Sequence, residues 1–155
     1  MLRFEGDQDL TPAPPELWAK LSDARFLVRC VPGIETVTLL ESNHASFILK
    51  PGLSFARGTL EVNMQVADAV PGQSARYLLH SKGIGSTSDV EASLVIQPQE
   101  AGSRVHWIAE IRQLGGLLKA VPGGLIQAAA KKVVSDAWAA VEQQLRQEAS
   151  PPTEA

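Results

Sequence analysis

The side chains best suited to acid–base or metal chemistry are three histidines, His44, His80 and His106. Each falls in a different stretch of alternating polar and apolar residues, on the polar face of a predicted strand. A zinc site or a catalytic triad needs its groups to converge, with a thiolate or a carboxylate among them. The histidines lie on three separate strands without helical spacing, so the pattern predicts surface histidines rather than a metal or catalytic site.

The single cysteine, Cys30, comes just before a Pro32-Gly33 turn. One cysteine cannot form a disulfide within the chain, and a nucleophilic thiolate would need a neighbouring base. No histidine is close in sequence. This context favours a packed thiol.

Two other patterns resemble catalytic signatures only in part. Asp89, Glu91 and Glu110 occupy outward strand positions, so they do not predict a buried acid–base pair. The stretch Gly83-Ile84-Gly85-Ser86 is glycine-rich, but it lacks the Lys-Ser/Thr of a phosphate loop and joins two predicted strands. It is typical of a hairpin connection. The sequence therefore points to no catalytic residue, no metal ligand and no cofactor.

The composition indicates one globular domain. The 155 residues are 45% hydrophobic and 20% charged, with a net charge of −3, a balance that supports a core and argues against disorder. No basic run suggests nucleic acid as a partner. We expect one ligand-binding domain over residues 1–148 and a disordered tail over 149–155. Neither a signal-peptide pattern nor a membrane-spanning apolar run is present, which predicts a cytoplasmic protein.

The elements that must position these residues follow as a strand, two short helices, six strands and a long helix. Short turns between consecutive strands predict an antiparallel meander, and a lone helix with an apolar stripe must pack on the sheet. The fold class is α+β, a helix-grip arrangement with a curved seven-stranded antiparallel sheet around a long C-terminal helix. The predicted strands are 2–10, 35–41, 44–50, 56–67, 76–82, 89–97 and 104–112, and the helices are 16–21, 23–30 and 126–145.

Large apolar side chains on the inner strand positions face a helix stripe rich in alanine, including Ala129, Ala130 and Ala137. Natural interiors avoid large voids, so such a space is either closed by tight packing or filled by a ligand. An apolar cavity with few polar groups suits a lipid-like or isoprenoid molecule. The residues predicted to line the cavity are Phe47, Met64, Tyr77, Leu79, Leu94, Trp107, Val134 and Trp138.

The apolar segment between the last strand and the long helix is flanked by two glycine pairs, Gly115-Gly116 and Gly123-Gly124. Glycine absorbs backbone rotation at low steric cost, which suits a hinge. We predict a gate loop formed by Leu117, Leu118 and Val121; a loop packed permanently on the helix is the alternative.

Several short motifs, in order along the chain, resemble those of one family. The chain is similar to the CoxG-like family of carbon monoxide dehydrogenase proteins, which belongs to the START/SRPBCC helix-grip superfamily. The resemblance implies an internal apolar cavity, association with molybdenum carbon monoxide dehydrogenase systems, and contact with a membrane or a quinone. Its motifs are Glu5-Gly6, Pro15 to Asp23, Cys30-Val31-Pro32-Gly33, Phe55-Ala56-Arg57-Gly58, Gly83-Ile84-Gly85 and Leu114-Gly115-Gly116-Leu117-Leu118.

The predicted function is non-enzymatic binding of a hydrophobic small molecule, a lipid or a quinone, as an accessory to a membrane-linked redox enzyme such as molybdenum carbon monoxide dehydrogenase. Transient membrane contact would place the protein at the inner face of the membrane. Two alternatives stay open: a cyclase- or hydrolase-like enzyme that uses Tyr77 or a buried carboxylate in the same cavity, and an interaction module with a filled core that docks through the loop 117–121.

Overall fold

The computed structural model describes residues 2–50 and 58–149, with side chains up to residue 147. The predicted order of elements and the α+β helix-grip fold class are confirmed. The motif residues 55–57, the first residues of the predicted strand 56–67 and most of the predicted tail lie outside the described residues. The elements are β1 Leu2–Leu10, α1 Pro14–Leu21, α2 Ala24–Val28, β2 Ile34–Leu40, β3 His44–Leu49, β4 Leu60–Val70, β5 Ser74–Gly83, β6 Ser86–Gln99, β7 Gly102–Gly116, a 3-10 turn Leu117–Ala120, and α3 Gly123–Ala149.

All seven strands form one antiparallel sheet in the order β1-β7-β6-β5-β4-β3-β2. Consecutive strands from β2 to β7 are neighbours, as the short turns predict. β1 pairs with β7 at the far edge, so the chain between β1 and β2 must cross the sheet. That crossing segment contains α1 and α2.

The last two strands are longer than the sequence pattern predicts. β6 has 14 residues and β7 has 15, and their pairing continues as far as Ser86 opposite Gly116 and Thr87 opposite Gly115. The first glycine pair of the predicted gate loop therefore belongs to the sheet. Period-two alternation did not reveal this extension because glycine carries no polarity signal.

Side chains alternate across the sheet as the sequence indicates. In β4, Val62, Met64 and Val66 are buried, while the residues between them are exposed. The same alternation in the other strands gives a concave apolar face and a convex polar face.

The helices α1 and α2 cover one end of the concave face. Leu17, Leu21 and Phe26 are at most 1% exposed and form the centre of the core there. Asp23 begins α2 by accepting a hydrogen bond from the Arg25 backbone N–H at 2.9 Å. The side-chain hydrogen bond from Arg25 is the main reason that the pKa of Asp23 lies below its usual value.

Two side-chain hydrogen bonds fasten this helical pair to β5. The Tyr77 hydroxyl donates to the Leu21 carbonyl at 2.6 Å, and the Trp18 indole Nε1–H donates to the Ser74 carbonyl at 2.9 Å. Both carbonyls lie far from their donors in sequence, so the bonds fix the position of α1 on the sheet.

The long helix packs unevenly along its length. Val141 and Leu145, near its C-terminal end, are buried against the core. Val133 lies on the same predicted stripe, yet it is 49% exposed. The N-terminal half of α3 therefore leaves space above the sheet.

The sheet also depends on one close approach between neighbouring strands. Gly6 in β1 is directly opposite Trp107 in β7, and a Cβ atom on Gly6 would lie 2.9 Å from the indole Cζ2. Only glycine leaves room for this ring position, which sets Trp107 beneath α3, where its centroid is 6.4 Å from that of Trp138.

Gly6→Ala is therefore expected to lower the free energy of unfolding by about 1–3 kcal/mol, because the rigid indole must move to accept the methyl group. Gly124→Ala is the matched control, since nothing lies within 4 Å of its added Cβ and alanine favours the helix. Urea unfolding measures both. Equal stability of the Gly6→Ala variant and the parent would contradict the close contact.

Candidate functional site

The three histidines lie on the convex face, where the sequence predicts them. Each pairs with a polar side chain of a neighbouring strand: His44 with Asn63 at 2.6 Å, His80 with Asp89 at 2.6 Å, and His106 with Asp7 at 3.0 Å. The hydrogen bond to His106 is the main cause that lowers the pKa of Asp7. Within the described ranges, no three His, Cys, Asp or Glu side chains form a group that could hold a metal ion.

The convex face also carries the principal ion-pair cluster. Glu91 accepts hydrogen bonds from Arg112 and Arg76, each at 2.8 Å, and the bond from Arg112 contributes most to lowering the pKa of Glu91. Cys30 is buried with its thiol 3.5 Å from the Phe26 carbonyl. Neither the charges nor the thiol faces the space under α3.

That space is a cavity of about 300 Å³ between the sheet and the N-terminal half of α3. Its floor consists of side chains on the concave face of β1, β5, β6 and β7. No ionisable side chain occurs among the described residues that line it. The main floor residues are Phe4, Ser81, Ser88, Val90, Ala109 and Ile111.

The other walls of the cavity come from α3 and from the segment before it. The helix contributes small and β-branched side chains, which leave the space that larger residues would fill. The rim contains the hairpin tip at Ile84 and the 3-10 turn that follows β7. The helical wall is Ile126, Ala129, Ala130, Val133 and Val134, and the rim includes Leu117, Leu118 and Val121.

The structure divides the predicted cavity residues into two groups. Val134 and the three predicted gate residues line the cavity. The others do not, because α1, α2 and the C-terminal half of α3 cover the end of the concave face where they lie. Phe47, Met64, Tyr77 and Leu94 belong to the filled core, and Leu79 packs against that core.

Trp107 and Trp138 lie beside the cavity, in a neighbouring cleft of about 250 Å³ between β1, β7 and α3. The cleft and the cavity share Phe4 and Val134 as walls. The Trp107 Nε1 atom is buried, and the described residues provide no hydrogen-bond partner for it. The indoles thus mark the inner end of the space under the helix.

Sequence reasoning missed most of the floor, including Val90, Ile111 and the serines. Alternation correctly placed Ser81 and Ser88 on the inner face, but polar residues were not considered as a cavity lining. The signal was the strand register: Ser81 is opposite Ser88, and Ser88 is opposite Leu114, in the row nearest the hairpin tip.

The predicted hinge is only partly of the kind the glycines suggest. Leu117 N–H donates to the Gly85 carbonyl at 3.0 Å, and a Cβ on Gly116 would collide with the same carbonyl oxygen. Gly116 has φ 65°, so glycine is required here for close packing rather than for movement. The second pair, Gly123-Gly124, begins α3 in open space.

The hairpin tip at the rim carries backbone strain. Ile84 has φ 57° and Gly85 has φ 68°, the conformation of a tight two-residue hairpin turn. A β-branched residue rarely adopts a positive φ, and such strain is often retained at functional sites. In this turn the Ile84 side chain lies on the cavity rim.

Solved structures with the same architecture define the class as a START-like helix-grip protein. A conserved protein from Geobacillus kaustophilus has a TM-score of 0.84 at 20% identity, covering 94% of this chain and 96% of that one. A START superfamily protein from Mycobacterium smegmatis has a TM-score of 0.69 at 11% identity, covering 94% and 97%. At these identities the likeness establishes the fold.

The family is set by the sequence match. The family model for the carbon monoxide dehydrogenase protein CoxG matches residues 6–146, so the chain belongs to the CoxG family. A comparison with curated proteins finds no significant match. Among the described residues, none of the helices is long and apolar enough to span a membrane.

Separation of core from cavity gives a direct prediction for Tyr77. Tyr77→Phe removes the hydroxyl that holds Leu21 and leaves a buried carbonyl unpaired, so we expect a loss of about 1–3 kcal/mol in urea unfolding. Binding of an apolar ligand should stay unchanged, because Tyr77 does not line the cavity. A variant with parental stability but impaired ligand binding would instead place Tyr77 in the site.

Proposed function

We propose that this protein binds a hydrophobic small molecule, a lipid or a quinone, in the cavity under α3 and does not transform it. The observation that carries the proposal is the cavity itself, with apolar walls and no ionisable side chain among its described lining residues. Preformed apolar pockets with a few polar groups are the usual form of small-molecule sites. The coarse function, ligand binding by an accessory protein, agrees with the family and the fold.

The arrangement of polar groups supports binding rather than catalysis. The Tyr77 hydroxyl is engaged with Leu21 at the covered end of the sheet, and burial raises its pKa far above the ordinary value. The cavity serines have no histidine or carboxylate beside them in the described lining, so nothing there would activate a hydroxyl as a nucleophile. A filled-core interaction module is disfavoured by the cavity.

The volume favours a ring-sized group or a short apolar segment. About 300 Å³ lies at the lower limit of typical ligand sites. A longer chain would need to continue past Phe4 and Val134 toward the two indoles, or outward through the rim. An isoprenoid quinone has this division into a compact ring and a long tail.

A quinone ligand also accounts for the proposed partner. Members of this family are named for carbon monoxide dehydrogenase, and we propose a membrane-linked redox enzyme of that kind as the partner of this chain. A carrier that shields a quinone from water would connect such an enzyme with the membrane pool of electron acceptors.

Membrane contact is proposed to occur through the rim of the cavity. Leu117 is 65% exposed, and Leu125 and Val133 are each 49% exposed, so three large apolar side chains face solvent near the opening. Exposed apolar groups at the mouth of a ligand site are typical of interaction surfaces. Contact there would let an apolar ligand pass between bilayer and cavity without crossing water.

Filling the cavity should abolish binding. Ala130→Phe places a ring in the space beneath the helix, so we expect loss of menadione binding, measured by equilibrium dialysis, and loss of co-purifying lipid or quinone in mass spectrometry of solvent extracts. Ala128→Phe is the matched control, because Ala128 is exposed on the same helix. Undiminished binding by Ala130→Phe, or no ligand on the parent protein by either method, would refute the proposal.

Removing the apolar rim should weaken membrane contact. We expect the double variant Leu117→Ser/Leu125→Ser to co-sediment less with phosphatidylcholine–phosphatidylglycerol vesicles than the parent, because two exposed apolar anchors are lost. Leu39→Ser/Leu40→Ser is the control, since these leucines are 37% and 48% exposed on β2. Equal loss in both double variants would show that the rim has no special role.

A further inference from the structure

The cavity floor contains a pair of hydroxyl groups that the proposed function does not yet explain. Ser81 in β5 and Ser88 in β6 are directly opposite in the strand register, and their Oγ atoms are 2.5 Å apart. Both side chains line the cavity. They form a polar patch on an otherwise largely apolar floor.

Two hydroxyls that bond to each other leave one proton unused. Whichever serine donates, the hydroxyl of the other retains its own hydrogen, together with acceptor lone pairs. Ser86, the third serine of the lining, directs its hydroxyl toward the Ile84 carbonyl at 3.4 Å. The Ser81–Ser88 pair therefore presents one free O–H donor to the cavity.

The position of the pair gives the site a polar end and an apolar end. Leu114, on the other side of Ser88, belongs to the same row, next to the hairpin tip and the exposed Leu117. Farther in, the floor continues with Val90, Ala109 and Phe4 toward the cleft of the two indoles. A bound amphiphile would find its hydrogen-bond donor near the rim and apolar surface beyond it.

We propose that the Ser81–Ser88 pair binds a neutral oxygen, a carbonyl or a hydroxyl, at the polar end of the ligand, and that the apolar part of the ligand extends inward toward Phe4 and Val134. The proposal rests on the proposed function and adds the polar chemistry and the orientation of the ligand. A carboxylate or phosphate is disfavoured, because the described lining offers no cationic side chain to balance a desolvated anion.

This orientation has a consequence for exchange. The polar end of the ligand lies beside the 3-10 turn, whose Leu117 is the most exposed large apolar residue at the rim. A quinone ring held there would be the part of the ligand nearest to a partner protein, while its tail would lie beneath the helix.

The test compares two probes that differ only in their oxygens, menadione and 2-methylnaphthalene, by equilibrium dialysis. For the double variant Ser81→Ala/Ser88→Ala, we expect menadione affinity to fall about 3- to 10-fold, the worth of one hydrogen bond, and 2-methylnaphthalene affinity to stay the same or rise. Each single variant keeps one hydroxyl with a free proton, so both singles should bind menadione nearly as well as the parent.

A second measurement reports the hydrogen bond itself. The carbonyl stretch of bound menadione should lie at lower frequency on the parent than on the double variant in infrared difference spectra. Ser93→Ala is the control, a serine on the opposite face of β6. Circular dichroism and urea unfolding establish that each variant folds.

The outcomes separate the two proposals. If the parent binds neither probe, the proposed function fails. If the parent binds both probes but the double variant keeps the menadione affinity and carbonyl frequency of the parent, the cavity function stands and the serine inference is overturned. A double variant that loses both probes equally would also overturn it, because hydroxyl removal would then act on the shape of the cavity.

Discussion

A curved sheet of seven strands offers more concave surface than the apolar stripe of one helix can cover, and the rest of the structure follows from this mismatch. The protein covers one end with α1 and α2, which cross the sheet between β1 and β2, and with the C-terminal half of α3. The other end receives only the alanine-rich half of α3 and the turn before it. The uncovered remainder of the concave face is the cavity.

Two fixed points keep this remainder open and separate from the core. On one side, the bonds from Tyr77 to Leu21 and from Trp18 to Ser74 hold the helical pair over the β5 end of the core. On the other, the absence of a side chain at Gly6 lets Trp107 lie beneath the helix, near Trp138. The space between these points contains small side chains, so the sheet and helix cannot close it by contact.

The distribution of polar groups follows the same division. Histidines and ion pairs lie on the convex face, where water reduces the cost of charge, while the described cavity lining retains three serine hydroxyls as its polar side chains. A site of this composition can orient a neutral ligand but has little means of moving protons. Binding without chemistry is thus a property of where the sheet directs its polar residues, as well as of the fold family.

The sequence alone determined the local features: the elements, the alternation of faces, the outward histidines and the packed Cys30. Each of these depends on neighbours a few positions away, and the motifs identified the family for the same reason. Placement of the cavity depended on contacts between distant segments. Phe47 and Tyr77 alternate like true lining residues, yet α1 and α2 cover them, whereas Ser81, Ser88 and Ile111 line open space because no helix reaches their rows. Which rows are covered is decided when the helices dock, since packing joins residues that periodicity cannot relate.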